Sequence, residues 1–263
     1  MILRRTITTR APAAHPKEPR LNPNRRWILS LAVLLLPALA RADRRYYGET
    51  YNAATAAPGG LDIETWSTLH AAPRGSGAPY LWQNQVELET GLTDRWDVAL
   101  YNVWDVVQGE PARYSQTKLE TRYRLARPGD WFVDPVVYLE AKKEWTEDKP
   151  VGVEGKLILG KDIGPVNVSL NGAAEQELIP GGGRAYEYSY ALGSSYEIAP
   201  WLRAGGEVFG VQKREGGAVE TTHYAGPALS LSWSRYWLVT ALGVGLNDAA
   251  ERVRATAVFA IQL

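Results

Sequence analysis

Residues able to carry acid–base or nucleophilic chemistry are few in this chain. Beyond residue 42 the histidines are His70 and His223, with Ser67, Ser76 and Ser115 as nearby hydroxyls. A hydrolytic or lipid-modifying site needs a nucleophile beside a base, usually Ser and His. Neither histidine belongs to an H-x-S, G-x-S-x-G or H-E-x-x-H pattern. His70 follows Thr68-Leu69 at a strand end, and His223 lies in Thr221-Thr222-His223-Tyr224 just after a loop, so both read as hydrogen-bonded rim histidines. With no Cys there is no disulfide, thiolate metal site or lipidated cysteine. Gly181-Gly182-Gly183 precedes no helix and reads as a loop rather than a phosphate cradle. No enzyme activity, cofactor or metal is expected.

The remaining chemistry is ionic and alternates. In Lys118-Leu119-Glu120-Thr121-Arg122-Tyr123-Arg124-Leu125 every second residue is charged, the period of a strand with one polar and one apolar face. Glu140-Ala-Lys-Lys-Glu144 could pair carboxylates for acid–base work, but the same alternation makes it a salt-bridge ladder. The chain closes with Val253, Ala255, Ala257, Phe259, Ile261 and Leu263 on one face and Arg252, Arg254, Thr256 and Gln262 on the other. Such a strand suits a barrel wall between lipid and water.

The front of the chain sets the compartment. Residues 1 to 26 are rich in Arg and Pro, an apolar run Trp27 to Leu36 follows, and Ala40-Arg41-Ala42 offers a small-residue cleavage site. This order is that of a secretory signal, residues 1–42, cleaved after Ala42; the apolar run falls short of the roughly 20 residues of a membrane-spanning helix. An uncleaved anchor is the other reading. The leader holds eight of the 29 Lys and Arg and one of the 29 Asp and Glu, so its removal leaves a charge of about −7. An acidic chain disfavours nucleic acid as a partner, since phosphate needs a basic surface.

After residue 42 no long helical pattern appears, and strand-like runs follow one another. Short breaks at Thr93-Asp94-Arg95, Pro128-Gly129-Asp130, Gly164-Pro165, Ala199-Pro200 and Ser234-Arg235 alternate with longer polar ones near 71–79, 108–114, 146–151, 179–185, 215–220 and 247–250. They predict twelve strands at 60–70, 80–92, 96–107, 115–127, 131–145, 152–162, 165–178, 186–198, 201–214, 221–233, 236–247 and 251–263. Ten or fourteen remain alternatives. Tight turns at one rim and longer loops at the other predict a single antiparallel up-and-down transmembrane β-barrel at 59–263, all-β, with both its ends in the periplasm.

Aromatic residues cluster beside the breaks. Trp96, Trp131, Trp201, Tyr236 and Trp237 follow the short turns, Tyr196 and Trp233 precede them, and Trp82, Trp104 and Trp145 lie near the longer loops. Rings with an apolar body and a polar tip settle at headgroup level, so these predict two girdles.

On these features the chain resembles the bacterial outer-membrane β-barrel proteins. Its stretch Tyr47 to Trp66 is similar to the start of small, functionally uncharacterised barrels of Gram-negative bacteria. The resemblance implies an outer-membrane location, lipid around the wall and an assembly machinery that reads the last strand. Members commonly end in an aromatic residue, whereas here Phe259 lies inside the strand and Leu263 is terminal.

Within that architecture the charged stripes point inward, because a Lys or Arg facing mid-bilayer hydrocarbon costs about 2 to 4 kcal/mol. The lumen-facing candidates start with Glu87 and Glu89, then Lys118, Glu120, Arg122 and Arg124. Glu140, Lys142 and Glu144 follow, with Glu154 and Lys156, Glu175 and Glu177. Arg203, Glu207, Arg252 and Arg254 complete the set. Two readings stay open: a wet pore for small hydrophilic solutes, or a closed barrel whose lumen is filled by salt bridges. Segment 43–58 either hangs in the periplasm or folds into the lumen. A soluble barrel or sandwich with the faces inverted is the rival fold.

Overall fold

The computed structural model describes residues 44–145, 151–179 and 183–263; the leader reading lies outside the described residues. Twelve strands run in chain order: β1 Leu61–Pro73, β2 Leu81–Thr93, β3 Trp96–Val107, β4 Arg113–Arg124, β5 Asp134–Glu144 and β6 Val151–Ile163. They continue as β7 Val166–Ile179, β8 Gly183–Ala199, β9 Leu202–Glu215, β10 Ala218–Trp233, β11 Tyr236–Gly245 and β12 Glu251–Gln262. Each pairs antiparallel with its neighbours, and β1 closes on β12 from Asp62↔Gln262 to Pro73↔Glu251. Closure matters because it leaves no sheet edge with unpaired amides to meet hydrocarbon.

Alternation sends large apolar side chains outward. Leu88, Leu100 and Leu119 lie directly opposite one another across β2, β3 and β4, and Leu170, Leu192 and Val208 do the same across β7, β8 and β9. All six are exposed, as are Leu139, Leu157, Leu242 and Phe259. A greasy outer belt over a polar interior rules out the inverted, soluble arrangement, in which these side chains would form the core.

The turns differ from the expected alternation at two places. Gly216 and Gly217, with φ of 59° and 87°, close β9 onto β10 in a two-residue turn where a longer loop is expected. Two successive left-handed residues match the right-handed twist of a hairpin, and glycine adopts them without strain. Conversely, the Pro128-Gly129-Asp130 break opens into a nine-residue connection, 125–133. There the Asp134 carboxylate takes the Gly129 amide at 2.6 Å, and Trp131 and Phe132 stand out from the barrel, Phe132 at 93% exposure.

Most of the aromatic candidates are exposed near a rim. Trp82, Trp96, Trp131, Trp145, Tyr196, Trp201 and Trp233 are exposed, while Trp104 and Tyr236 are half-buried. Trp237 is a correction: it is fully buried inside the barrel, packed with Trp66, Val239, Val258 and Ala260. Neighbours on a strand point to opposite faces, so once Tyr236 turns outward to stack on Trp233 and Phe259, Trp237 must turn inward.

Candidate functional site: the lumen and its internal segment

Residues 44–56 run inside the barrel rather than along its wall. Near the rim that carries the ends of β1 and β12, Arg44 donates to the Ser232 hydroxyl at 2.5 Å and to the Pro200 carbonyl at 3.2 Å. The Tyr47 hydroxyl donates to Asn167 Oδ1 at 2.9 Å and sits 3.1 Å from the Ser195 hydroxyl. Deeper in, the amides of Gly48, Glu49 and Thr50 converge on the Glu207 carboxylate at 3.0, 3.0 and 2.9 Å, and the Thr50 hydroxyl joins them at 3.0 Å. Asn171 grips Tyr51 from both sides, accepting from its amide at 2.6 Å and donating to its carbonyl at 2.9 Å. The Ala56 amide reaches the Asp97 carboxylate at 2.9 Å, and Gly59 bonds the Gly91 carbonyl at 2.9 Å. Backbone groups that no strand partner can satisfy are thereby satisfied by wall side chains.

Glycine makes room for this segment. A Cβ on Gly91 would collide with the Ala56 and Ala57 carbonyls, and one on Gly193 would sit 2.8 Å from the Tyr47 ring.

The wall residues form an ordered pattern of carboxylates. Glu120, Glu140, Glu154, Glu175 and Glu187 are direct cross-strand partners in sequence from β4 to β8. Like charges placed opposite each other destabilise a sheet. Here two lysines and two tyrosine hydroxyls offset that repulsion. Lys142 bridges Glu175 and Glu177, the latter at 3.0 Å, and Lys156 holds Glu154 at 3.0 Å. The Trp66 indole donates to Glu87 at 3.0 Å, the Tyr101 hydroxyl to Glu120 at 2.5 Å and the Tyr138 hydroxyl to Glu140 at 2.7 Å.

Arg122 anchors the wall beside the start of β3. Its Nε and Nη2 clasp Asp97 at 3.1 and 2.8 Å, Nε approaches Glu120 at 3.3 Å, and Nη2 also contacts Glu89. Glu64, Glu87 and Glu89 bring carboxylate oxygens within 4.8 Å of one another, a set that strand periodicity alone does not reveal. Trp66 and Arg122 already donate to two of the three.

The other sequence candidates fall around this core. Arg203 is buried, paired with Glu197 at 2.9 Å and lying 4.3 Å over the Tyr46 ring. Arg254 pairs with Glu251 at 3.0 Å and approaches Glu49 at 3.8 Å. Arg124 and Glu144 are half-buried near opposite ends of the wall, and exposed Arg252 donates to the Tyr80 hydroxyl at 3.1 Å.

Neither histidine meets a nucleophile. His70 Nδ1 lies 2.9 Å from Glu251, and His223 Nδ1 lies 3.0 Å from the exposed Tyr190 hydroxyl. Ser67 is spent on Asn84 and Trp82, Ser76 on the Pro73 carbonyl, and Ser115 faces the Val103 carbonyl.

Above the internal segment, toward the opposite rim, the lumen widens into a cavity of about 260 Å³. Arg45, Gly48, Glu49 and Tyr51 of the segment line it together with Lys118, Glu140, Glu154, Lys156 and Glu187 of the wall. A polar, solvent-sized space inside a greasy cylinder is the arrangement of an outer-membrane barrel. The chain folds as one. Among solved structures it is similar to the COG4313 outer membrane channel from Pseudomonas putida F1, with a TM-score of 0.60 at 13% identity over 80% of this chain and 98% of that one. It is also similar to the NanC porin (TM-score 0.53, 7% identity, 76% and 98% covered) and the KdgM porin (TM-score 0.50, 10% identity, 76% and 98% covered). No family model matches the chain. No curated protein matches it either.

Sequence reasoning left the place of segment 43–58 open. The signal for its docking is a run of small and polar inward positions on β7 to β10, namely Ser169, Asn171, Gly193, Ser195 and Ser230. Side chains that short leave a gap that the wall cannot fill by itself.

Proposed function

We propose that this barrel is a small pore that passes hydrophilic solutes across the outer membrane, with the internal segment narrowing its periplasmic half. The observation that carries this reading is the cavity of about 260 Å³ lined by acidic and basic side chains within a wall that is apolar outside. Solutes crossing it would exchange hydration for carboxylate, ammonium and phenol groups, as they do at side-chain rings in channels. The channel and porin descriptions of the fold neighbours agree with it.

A second reading, a closed structural barrel, draws support from one feature. Eight donors and acceptors of residues 47–56 are engaged by Glu207, Asn167, Asn171, Ser195 and Asp97, which is more anchoring than a loose constriction needs. Lipid-modifying catalysis has no assembled nucleophile and base among the described residues to support it.

Recording from planar bilayers separates these readings. Discrete channel events from the purified barrel support the pore. Insertion without such events supports the closed barrel.

A further inference from the structure

The charged groups around the cavity do not all cancel locally. Glu49 meets Arg254 at 3.8 Å, Glu154 meets Lys156 at 3.0 Å, and Glu140 takes the Tyr138 hydroxyl at 2.7 Å. Three lining residues have neither a hydrogen bond nor an ion pair on their charged groups: Arg45, Lys118 and Glu187.

Arg45 is more than nine-tenths buried, and its Nε and Nη2 meet no acceptor. Its guanidinium rests 3.9 Å from the Tyr51 ring and 4.3 Å from the Trp66 ring, which fixes its plane without using its protons. Glu64 and Glu87 act on it only at longer range. Nε and Nη2 are the same edge with which Arg122 clasps the Asp97 carboxylate, but on Arg45 both atoms are shielded from solvent, so its guanidinium gives the cavity a charge rather than a contact. Buried donors left open are uncommon, and each one calls for an explanation.

Lys118 lies 5.9 Å from the Tyr101 ring and pairs with no carboxylate; its cross-strand neighbour on β5 is Lys142. Glu187 stands four strands away on β8, with no hydrogen bond or ion pair, between Glu175 and Lys213 as cross-strand neighbours. Lys213 itself turns to Glu215 at 3.7 Å. Lys118 on β4 and Glu187 on β8 thus offer the cavity an unpaired ammonium and an unpaired carboxylate from different parts of its wall.

We propose that the cavity binds small amphoteric solutes, molecules that carry a carboxylate and an ammonium together, as amino acids and short peptides do. Lys118 takes the carboxylate, with the buried charge of Arg45 in the same lining, and Glu187 takes the ammonium. The rings of Tyr138 and Phe209, also in the lining, give the solute's carbon atoms a surface. A solute with only one of the two charges leaves the opposite side unanswered. This inference names the solute class of the proposed pore and rests on that reading for transport, though not for binding.

The test is isothermal titration of the purified, detergent-folded barrel with glycylglycine, set against acetate, ethylamine and uncharged N-acetylglycinamide. Glycylglycine binds saturably and more tightly than the other three. Lys118→Met and Glu187→Gln each weaken it about tenfold, equivalent to one lost charged contact. Lys118 and Glu187 have no partner to lose, so these two variants keep the heat-modifiable gel mobility of the folded barrel. Equal binding of acetate and glycylglycine overturns the proposal, as does wild-type affinity in Lys118→Met and Glu187→Gln. Bilayer recording keeps the two readings apart. Binding without current supports the site and removes the pore, whereas current without binding removes the site and leaves the pore.

Discussion

A single carboxylate oxygen, Glu207 Oε2, accepts both the Thr50 amide at 2.9 Å and the Thr50 hydroxyl at 3.0 Å. Two further amides, from Gly48 and Glu49, reach the same carboxylate, so one wall residue holds three consecutive backbone donors of the internal segment. Charge-assisted bonds of this kind are about twice as strong as neutral ones. Glu207→Gln puts an amide NH₂ where a lone pair was and turns part of the cradle into a donor–donor clash. Segment 48–50 is expected to loosen by about 2 to 3 kcal/mol. Faster hydrogen exchange at those amides, together with larger single-channel current, is the expected result; unchanged exchange would show that the cradle is not what holds the segment.

The packing of Tyr47 on Gly193 offers an orthogonal way to dislodge the same segment. Gly193→Val places carbon where the Tyr47 ring stands, since even a Cβ would lie 2.8 Å from it. Interiors are packed too tightly to absorb that, at a cost of about 1 to 3 kcal/mol. Tyr47→Phe keeps the ring and removes its bonds to Asn167 and Ser195, for about 1 kcal/mol. Limited proteolysis should cut the segment faster in Gly193→Val than in Tyr47→Phe, and both faster than in the parent.

Arg122 is the cation that holds Asp97, Glu89 and Glu120 together. Arg122→Met fills a similar volume but leaves three buried carboxylates without a counter-charge. Breaking a buried pair from one side costs about 3 to 5 kcal/mol. The temperature at which the barrel loses its heat-modifiable mobility should fall accordingly, and far more than in Arg252→Met, whose side chain is exposed and meets only the Tyr80 hydroxyl.

Charge on the outer wall should be penalised by depth. Leu139, midway along β5, is 54% exposed, while Val219 at 59% is the second residue of β10, next to the Gly216–Gly217 turn. Leu139→Arg faces hydrocarbon and is expected to cost about 2 to 4 kcal/mol, against about 0 to 1 for Val219→Arg near the interface. Urea unfolding in lipid vesicles measures both. Equal, small penalties would mean that the wall does not face hydrocarbon.

The two histidines should separate by packing rather than by catalysis. His70→Ala releases Glu251, which also bonds Arg254, and is expected to lower stability by about 1 kcal/mol. His223→Ala loses one exposed contact with Tyr190 and should stay within about 0.5 kcal/mol of the parent. Neither change should alter the lipid composition of an overexpressing strain; a lipid product lost in either variant would revive the hydrolase reading.

Strand number and facing were legible in the residues because a strand's side chains alternate strictly and its ends carry local turn chemistry. The Lys118 to Leu125 alternation and the closing face of β12 need no distant information to interpret. Where local chemistry was ambiguous, the reading slipped. The 215–220 stretch looks like a loop by composition, yet two glycines fold it into the shortest of hairpins. Trp237 has the residue type of a girdle and the position of a core side chain, and only its pairing opposite Ala260 places it.

By itself the sequence determined an alternating, acidic, cysteine-free wall with polar and apolar stripes. Those properties depend on residues one or two places apart. Only the tertiary structure decided what occupies the hollow. The grip of Glu207 on residues 48–50 joins positions more than 150 apart, and the convergence of Glu64, Glu87 and Glu89 depends on register across β1 and β2. The unpaired charges of Lys118 and Glu187 become visible only once the ion pairs of the cavity lining, Glu49 with Arg254 and Glu154 with Lys156, have been found. Charge pairing across a closed cylinder is fixed by geometry in three dimensions, which no periodicity along one strand encodes.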